Sequence, residues 1–254
     1  MTTTRQRRPT VSVVIPVRDD AAALRWCLHS LTRQTMAPME IVVVDNASTD
    51  DSAAVATRYG AHVVAEAVVG IPAAAAAGYD AARGDVIARC DADTVPPPDW
   101  VAHIATVMGA CPAPDAVTGS GRFYDLPAWL AALARPVYLG SYYVLVHAAL
   151  GHRALWGSNM AIRRDVWEQL RSNVHRYDPE IHDDMDLSFA LGPRRRLTYD
   201  KTLVVGVSAR SLRGRRQIRR RFRRAVRTLR LNWRLAPPWE RWHLRLRARL
   251  SSSR

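Results

Sequence analysis

Short clusters of aspartate are the chemical signal in this chain. Asp91 and Asp93 flank Ala92 directly after an apolar run. Spaced i, i+2 at a strand end, both side chains can turn to one side. Carboxylates are hard oxygen ligands suited to Mg2+ or Mn2+, which in turn hold diphosphate oxygens. An isolated pair of this kind reads first as a solvated surface turn. A second cluster, Asp183, Asp184 and Asp186, crowds three acids into four positions. Mutual repulsion would raise their pKa values, which suits a proton acceptor working near neutrality. Acids also stabilise a helix N-terminus without doing chemistry.

These residues need a frame. Val11-Ser-Val-Val-Ile15 and Ile41-Val-Val-Val44 read as buried strands, ended by Pro16 and by Asp45-Asn46. Ala61 to Ala65 and Asp85 to Cys90 continue the series. Helical spacing of Leu24, Cys27, Leu28 and Leu31, N-cap candidates at 48–51, and an Ala-rich helix begun by Pro72 separate the strands. Apolar strands alternating with helices predict an α/β fold with a mostly parallel sheet covered on both faces. Ligands bind outside the carboxyl ends of such strands. Pro16 to Asp20, Asp45 to Asp50, and Asp91 to Asp93 therefore share one rim, where three acidic clusters call for a cation. After residue 110 the alternation breaks down. Strands are expected at 115–122, 158–162 and 197–207, and helices from 164 and over 182–191.

Composition sets the outer limits. The 254 residues are 48% hydrophobic and 24% charged, which excludes a disordered or fibrous chain. The net charge is +14, and residues 213–254 hold 16 arginines against the single acid Glu240, so the preceding body is close to neutral. In this tail Ile218, Phe222, Val226, Leu229 and Trp233 form one apolar helical stripe. Beyond Pro237-Pro238, residues Trp239, Trp242, Leu246 and Leu250 form another. Arginine-rich amphipathic helices with boundary tryptophans suit an anionic membrane surface, here through 213–250; packing on the body is the plainer alternative. The apolar segment 126–150, broken by Arg135, Pro136, Gly140 and His147, reads as a buried or interfacial helix pair rather than a membrane span. Cys27, Cys90 and Cys111 are too few and too scattered for a disulfide framework or a zinc site. Met1 to Thr10 lacks an apolar core, so no signal peptide is expected.

Taken in order, strand-Pro16, strand-Asp45, Asp91-Ala-Asp93, Trp156-Gly-Ser-Asn-Met-Ala-Ile-Arg163 and His182-Asp-Asp-Met-Asp-Leu-Ser188 resemble family 2 glycosyltransferases over residues 10–210. The resemblance implies a GT-A-type, Rossmann-like fold with the basic amphipathic helical tail appended. It implies a nucleotide-sugar-binding half at 10–110, an acceptor-binding and catalytic half at 111–210, the tail at 211–254 and a disordered 1–9. It also implies roles. Pro16, Arg18 and Asp20 would lie along the nucleotide, with Arg18 where relatives carry an aromatic residue. Asp45 would bond the base, Asp91 would face the ribose or the metal's water, and Asp93 would bind Mn2+ or Mg2+. Trp156, Gly157, Ser158, Asn159 and Asp183 would lie on the acceptor side, and Asp184 would be the catalytic base. The implied reaction is single in-line transfer, with inversion, from a UDP-, GDP- or dTDP-sugar to a hydroxyl acceptor. A lipid-linked or cell-envelope acceptor and a peripheral position at the cytoplasmic face of the membrane are the natural expectations.

Two features qualify that resemblance. Relatives often carry Arg-Asn near the donor phosphates, where this chain has Gly70-Ile-Pro-Ala-Ala-Ala-Ala-Ala77; an arginine from elsewhere, such as the tail, would have to supply the charge. Gln217-Ile-Arg-Arg220 resembles a Gln-x-x-Arg-Trp motif of processive relatives but continues with Arg221, so a polymerising enzyme is not expected. A nucleotidyltransferase usually has a glycine-rich basic loop after its first strand, whereas Pro16 to Asp20 is acidic and glycine-free. A nucleic-acid-binding protein acting through its tail is the other rival; arginine charge alone is unspecific, so nucleic acid is not the expected partner.

Overall fold

The computed structural model describes residues 7–135, 140–212 and 214–251. Most of the disorder expected for 1–9, Pro136, and the Leu250 side chain lie outside the described residues. Four strands, β1 (Val11–Val17), β2 (Glu40–Asp45), β3 (His62–Ala65) and β4 (Val86–Arg89), pair in parallel in the order β3-β2-β1-β4. Three helices connect them: α1 (Ala21–Leu31), α2 (Ser52–Arg58) and α3 (Ile71–Ala81). The sheet extends to seven strands through β6 (Met160–Arg163), antiparallel to both neighbours, then β5 (Ala116–Phe123) and β7 (Leu197–Val207). The expected mostly parallel α/β sheet flanked by helices is the observed one, and its strand boundaries fall within a few residues of those read from the sequence.

Period-two alternation assigns the two faces. Val11, Val13, Ile15 and Val17 pack with Leu24 and Leu28 of α1 and with Trp100 and Ile104 of α4 (Trp100–Met108). Val14, Val42, Val44 and Ile87 pack on the other face with Ala74 and Tyr79 of α3 and Trp167 of α7 (Arg164–Leu170). Each fully buried Val, Leu or Ile among them contributes about 1.5–3 kcal/mol. The alanines of α3 have a geometric consequence. A Cβ on Gly78 would lie 2.3 Å from Val14 Cγ1, so this helix presses onto β1 more closely than larger residues would allow. Its N-terminus then reaches the rim where β1 and β2 end.

The described residues of the 126–150 segment include two helices, α5 (Ala128–Arg135) and α6 (Ser141–Leu150). Among the described residues no helix is long and apolar enough to cross a membrane. The last elements are α8 (Asp183–Leu191), α9 (Arg215–Trp233) and α10 (Pro238–Ser251). The tail packs on the body, though not along the whole apolar stripe. Leu229 and Trp233 join Val146, Leu150, Met185 and Phe189, and Trp233 Nε1 donates to Ala149 O at 3.1 Å. Phe222 and Ile218, about two and three turns before Leu229 in the stripe, remain exposed. The buried polar residues Thr228 and Asn232 complete the contact by bonding to α8 and the residue before it. A stripe chosen by hydropathy does not reveal such polar partners.

Arg241 anchors α10. It is buried, donates from Nε to Leu150 O at 2.8 Å, and stacks its guanidinium 4.7 Å from the Phe189 ring centroid. His152 accepts at Nε2 from the same guanidinium (3.1 Å), with its Nδ1 2.7 Å from Arg153 O. Burial first, and then the Arg241 and Arg245 charges, push the imidazole down from 6.5 to about 4, against the opposing Arg153 carbonyl. A histidine depressed on folding contributes stability above its unfolded pKa and loses it as pH falls toward the folded one. Between pH 6.5 and 4 the fold should therefore lose roughly 3 kcal/mol through this residue. Hydrogen exchange should show α10 among the first segments to loosen. Replacing His152 with Gln should flatten that part of the pH profile; an unchanged profile would place the sensitivity elsewhere.

Candidate active site

A cavity of about 1040 Å3 opens at the carboxyl end of the parallel strands. Pro16, Arg18, Asp20, Asp91 and Asp93 line one part of it, and Trp156, Gly157, Ser158, Asp183 and Asp184 another. The residues singled out in sequence thus face one space, with two exceptions. Asp45 ends β2 and accepts from Ser48 N at 3.1 Å; its neighbour Asn46 is the cavity-lining residue. Asn46 receives the Gly70 N–H at 2.7 Å and donates to Glu66 O and Val68 O, which fixes the loop leading into α3. Asn159 is fully buried and turns into the sheet. Its amide donates to Ser120 O and Leu203 O at 2.9 Å, and its Oδ1 accepts from Trp100 Nε1 at 2.9 Å. It braces the segment that presents Gly157 and Ser158.

Arg89, the last residue of β4, organises the floor. It is 3% exposed and pairs with Asp183, with Asp91 (3.3 Å) and with the Tyr79 hydroxyl (3.3 Å). Burial opposes its charge, but the surrounding acids, Asp183 above all, hold it firmly protonated. Ser158 Oγ donates to Asp91 Oδ2 at 2.5 Å, so both oxygens of Asp91 are oriented. Gly157 is required by this packing, since a Cβ there would lie 2.9 Å from Arg89 Cζ. The same glycine donates its N–H to Asp184 Oδ2 at 3.0 Å.

The three acids of α8 fare differently. Asp183 pairs with Arg89, yet burial first, and then the Asp184 and Asp91 charges, hold its carboxyl above the usual carboxylate range. Asp186 turns away from the cavity, accepting from His175 N–H at 2.7 Å and from Asn232 Nδ2 at 2.8 Å. Asp184 is buried, and burial alone would raise its pKa. The His182 imidazole, the Gly157 N–H and the Arg89 charge outweigh that and hold it down at about 2. The upward shift expected from crowding is therefore found at Asp183 and not at Asp184, whose own contacts outweigh it. The result is an ionised carboxylate at neutral pH, aimed by two backbone N–H groups: Gly157 on one oxygen and Met185 on the other (2.7 Å).

At the other end, Arg210 bridges Asp20 and Asp93, the latter at 2.8 Å. The short 3-10 helix that carries it, Ala209–Leu212, is fixed by Asp125, which accepts from Ser208 Oγ and Ala209 N. The loop beyond Asp93 is tied to β7 by paired bonds between Val95 and Gly206 (2.8 and 2.9 Å). Burial, and then the Asp91 charge, push the Asp93 carboxyl up to about 6 despite Arg210. Among the described residues no three His, Cys, Asp or Glu side chains converge as a complete metal cage. That fits Mg2+ or Mn2+ in nucleotide sites, where one or two carboxylates share the ion with substrate phosphates and water.

Arg89, Arg210 and Asn46 were not singled out in the sequence. A lone arginine inside the apolar run Asp85 to Cys90 was a readable signal, because a buried guanidinium demands acidic partners. Nothing local marks Arg210, which reaches the site through tertiary contacts alone.

Comparison with known proteins agrees with this fold. Residues 12–171 match the model of glycosyl transferase family 2. A putative glycosyltransferase, EpsH, of Bacillus subtilis is 33% identical over 106 residues, 40% of this chain and 31% of that protein. An undecaprenyl-phosphate 4-deoxy-4-formamido-L-arabinose transferase of Sodalis glossinidius is 34% identical over 115 residues, 41% of this chain and 35% of that protein. The chain thus spans only about a third of these relatives' length. Among solved structures, glucosyl-3-phosphoglycerate synthase of Mycobacterium tuberculosis superposes with a TM-score of 0.66 at 17% identity, covering 88% of this chain and 80% of that one. The mannosyltransferase PcManGT of Pyrobaculum calidifontis, solved with GDP-Man and Mn2+, gives 0.61 at 21% identity, covering 80% and 58%. The fold is that of GT-A glycosyltransferases, and the chain belongs to glycosyl transferase family 2.

Proposed function

We propose that this chain is an inverting, divalent-metal-dependent glycosyltransferase that takes a sugar from a nucleotide-diphospho-sugar to an acceptor hydroxyl. One observation carries the reading: a single cavity holds a cation-seeking acidic corner, Asp91 and Asp93, and a separate aimed carboxylate, Asp184. Neighbours solved with GDP-Man and Mn2+ or with UDP-Glc and Mn2+ support the donor class and the metal.

The chain's own groups divide the work. Pro16, Arg18 and Asn46 border the space for the nucleoside, with Asp45 at its edge. Asp93, with Asp91 behind it, would hold the ion, which when bound supplies Lewis-acid stabilisation of the diphosphate. Arg210 sits against Asp93 and Asp20 and is placed to turn its guanidinium onto the same diphosphate, supplying the cation that segment 70–77 lacks. Asp184 takes the proton of the acceptor hydroxyl as that oxygen bonds to the anomeric carbon. The bond from that carbon to the nucleotide breaks on the opposite side, and the nucleoside diphosphate leaves with the bonding pair. One displacement inverts the anomeric configuration; a retaining route would need a second carboxylate as nucleophile. The acceptor reading is a lipid-linked one at the cytoplasmic face of the membrane. The undecaprenyl-phosphate transferase relative and the arginine-rich tail with exposed Phe222 and Trp239 support it.

The test is a panel of UDP-, GDP- and dTDP-sugars with Mn2+ or Mg2+, read as thermal stabilisation and as slow release of nucleoside diphosphate. One donor family should give both effects, and EDTA should remove the release. No stabilisation and no release across the panel would overturn the proposal.

A further inference from the structure

We infer that the cavity has a second, apolar arm between α6 and α9 that holds the hydrocarbon chain of an amphiphilic acceptor. This inference rests on the glycosyltransferase reading of the same cavity. On α6, Ser141, Val144, Leu145 and Ala148 are exposed at i, i+3, i+4 and i+7, with Val144 69% and Leu145 67% accessible. On α9, Ile218 and Phe222 are 54% and 71% accessible. Leu145, Ile218, Phe222 and Val226 line the same cavity as Asp184. The first half of the tail's apolar stripe therefore forms a wall of the candidate active site, while its second half docks the helix on the body.

Continuity with Asp184 selects the occupant. A free sugar or another wholly polar acceptor could meet the carboxylate but would leave Leu145 and Phe222 in water. A molecule that covers them must have a long apolar part, and one that also reacts must bring a hydroxyl to Asp184. An amphiphile with its head at Asp184 and its chain along α6 and α9 does both. Arg216, Arg219, Arg220 and Arg223 are exposed along the same stretch of α9. Their charge favours an anionic lipid surface as the place where such an acceptor is met.

The test uses the full chain and a dodecyl glucoside carrying a diazirine near the end of its alkyl chain, below its micelle concentration. Photolysis followed by peptide mass spectrometry should place the label on 141–150 and 217–230. Excess dodecyl glucoside should displace it and methyl glucoside should not. The double variant L145S/F222S should lower labelling by about tenfold, with an unchanged unfolding midpoint as the check on folding. Scattered labelling, displacement by methyl glucoside, or full labelling of the double variant would overturn the inference. So would light scattering that shows a dimer whose dissociation alone exposes these residues. Release of nucleoside diphosphate in the same preparation, without amphiphile, tests the glycosyltransferase reading separately: release with no groove labelling rejects only the apolar arm.

Discussion

Asp184→Asn is expected to lower the rate of sugar transfer by about a hundred- to ten-thousand-fold while leaving donor affinity almost unchanged. The variant keeps the shape, and its single amide oxygen can accept from one of the Gly157 and Met185 N–H groups, but it cannot take a proton. Asp184 is oriented by the protein's own backbone before substrate arrives, so the effect should fall on kcat rather than on KM. The low pKa, about 2, does not argue against this role. Proton transfer occurs as the new bond forms, when the acceptor oxygen is becoming acidic, and a carboxylate that stays ionised at neutral pH is always ready to accept. An unchanged kcat would move the base elsewhere, with His182, whose Nδ1 is 3.6 Å from Asp184 Oδ1, the first alternative.

Arg89→Met should be the most damaging substitution for stability near the site. It removes the partner of Asp183 and leaves that carboxyl buried among Tyr79, Asp91 and Asp184. Breaking a buried pair from one side costs about 3–5 kcal/mol, because the remaining charge is uncompensated. Chemical denaturation should show this as a lower midpoint with an unchanged slope. Asp183→Asn introduced into the Arg89→Met chain should recover part of the loss. A cost below about 1 kcal/mol, the level of an exposed ion pair, would mean that the pair is not buried in solution.

The parallel half of the sheet was legible because β1, β2 and β4 are mainly apolar and close on polar signals at or near Pro16, Asp45 and Asp91, and because each strand-to-helix switch carries local chemistry that needs no tertiary information. The aspartates were legible for the same reason: strand ends in such a sheet point to one rim. What stayed hidden depended on partners far away in sequence. Asp183 and Asp184 are adjacent, yet burial outweighs Arg89 at Asp183 and raises its pKa, whereas His182, the Gly157 N–H and Arg89 outweigh burial at Asp184 and lower it; spacing cannot show that. Arg210 reaches Asp93 only because Asp125 caps its helical turn and Val95 pairs with Gly206. The tail stripe was read correctly as amphipathic. Its division into a docked half and a cavity-lining half depends on α6 and α8, and on Thr228 and Asn232, which carry no hydrophobic signal.

The central claim is a single displacement at one cavity, and the anomer of the released sugar tests it most directly. With the donor found by the nucleotide-sugar panel and water as the acceptor, 1H NMR taken before mutarotation should show Mn2+- or Mg2+-dependent release of the sugar with inverted configuration. Release with retained configuration would contradict the role given to Asp184 and require a nucleophilic carboxylate that this account does not contain.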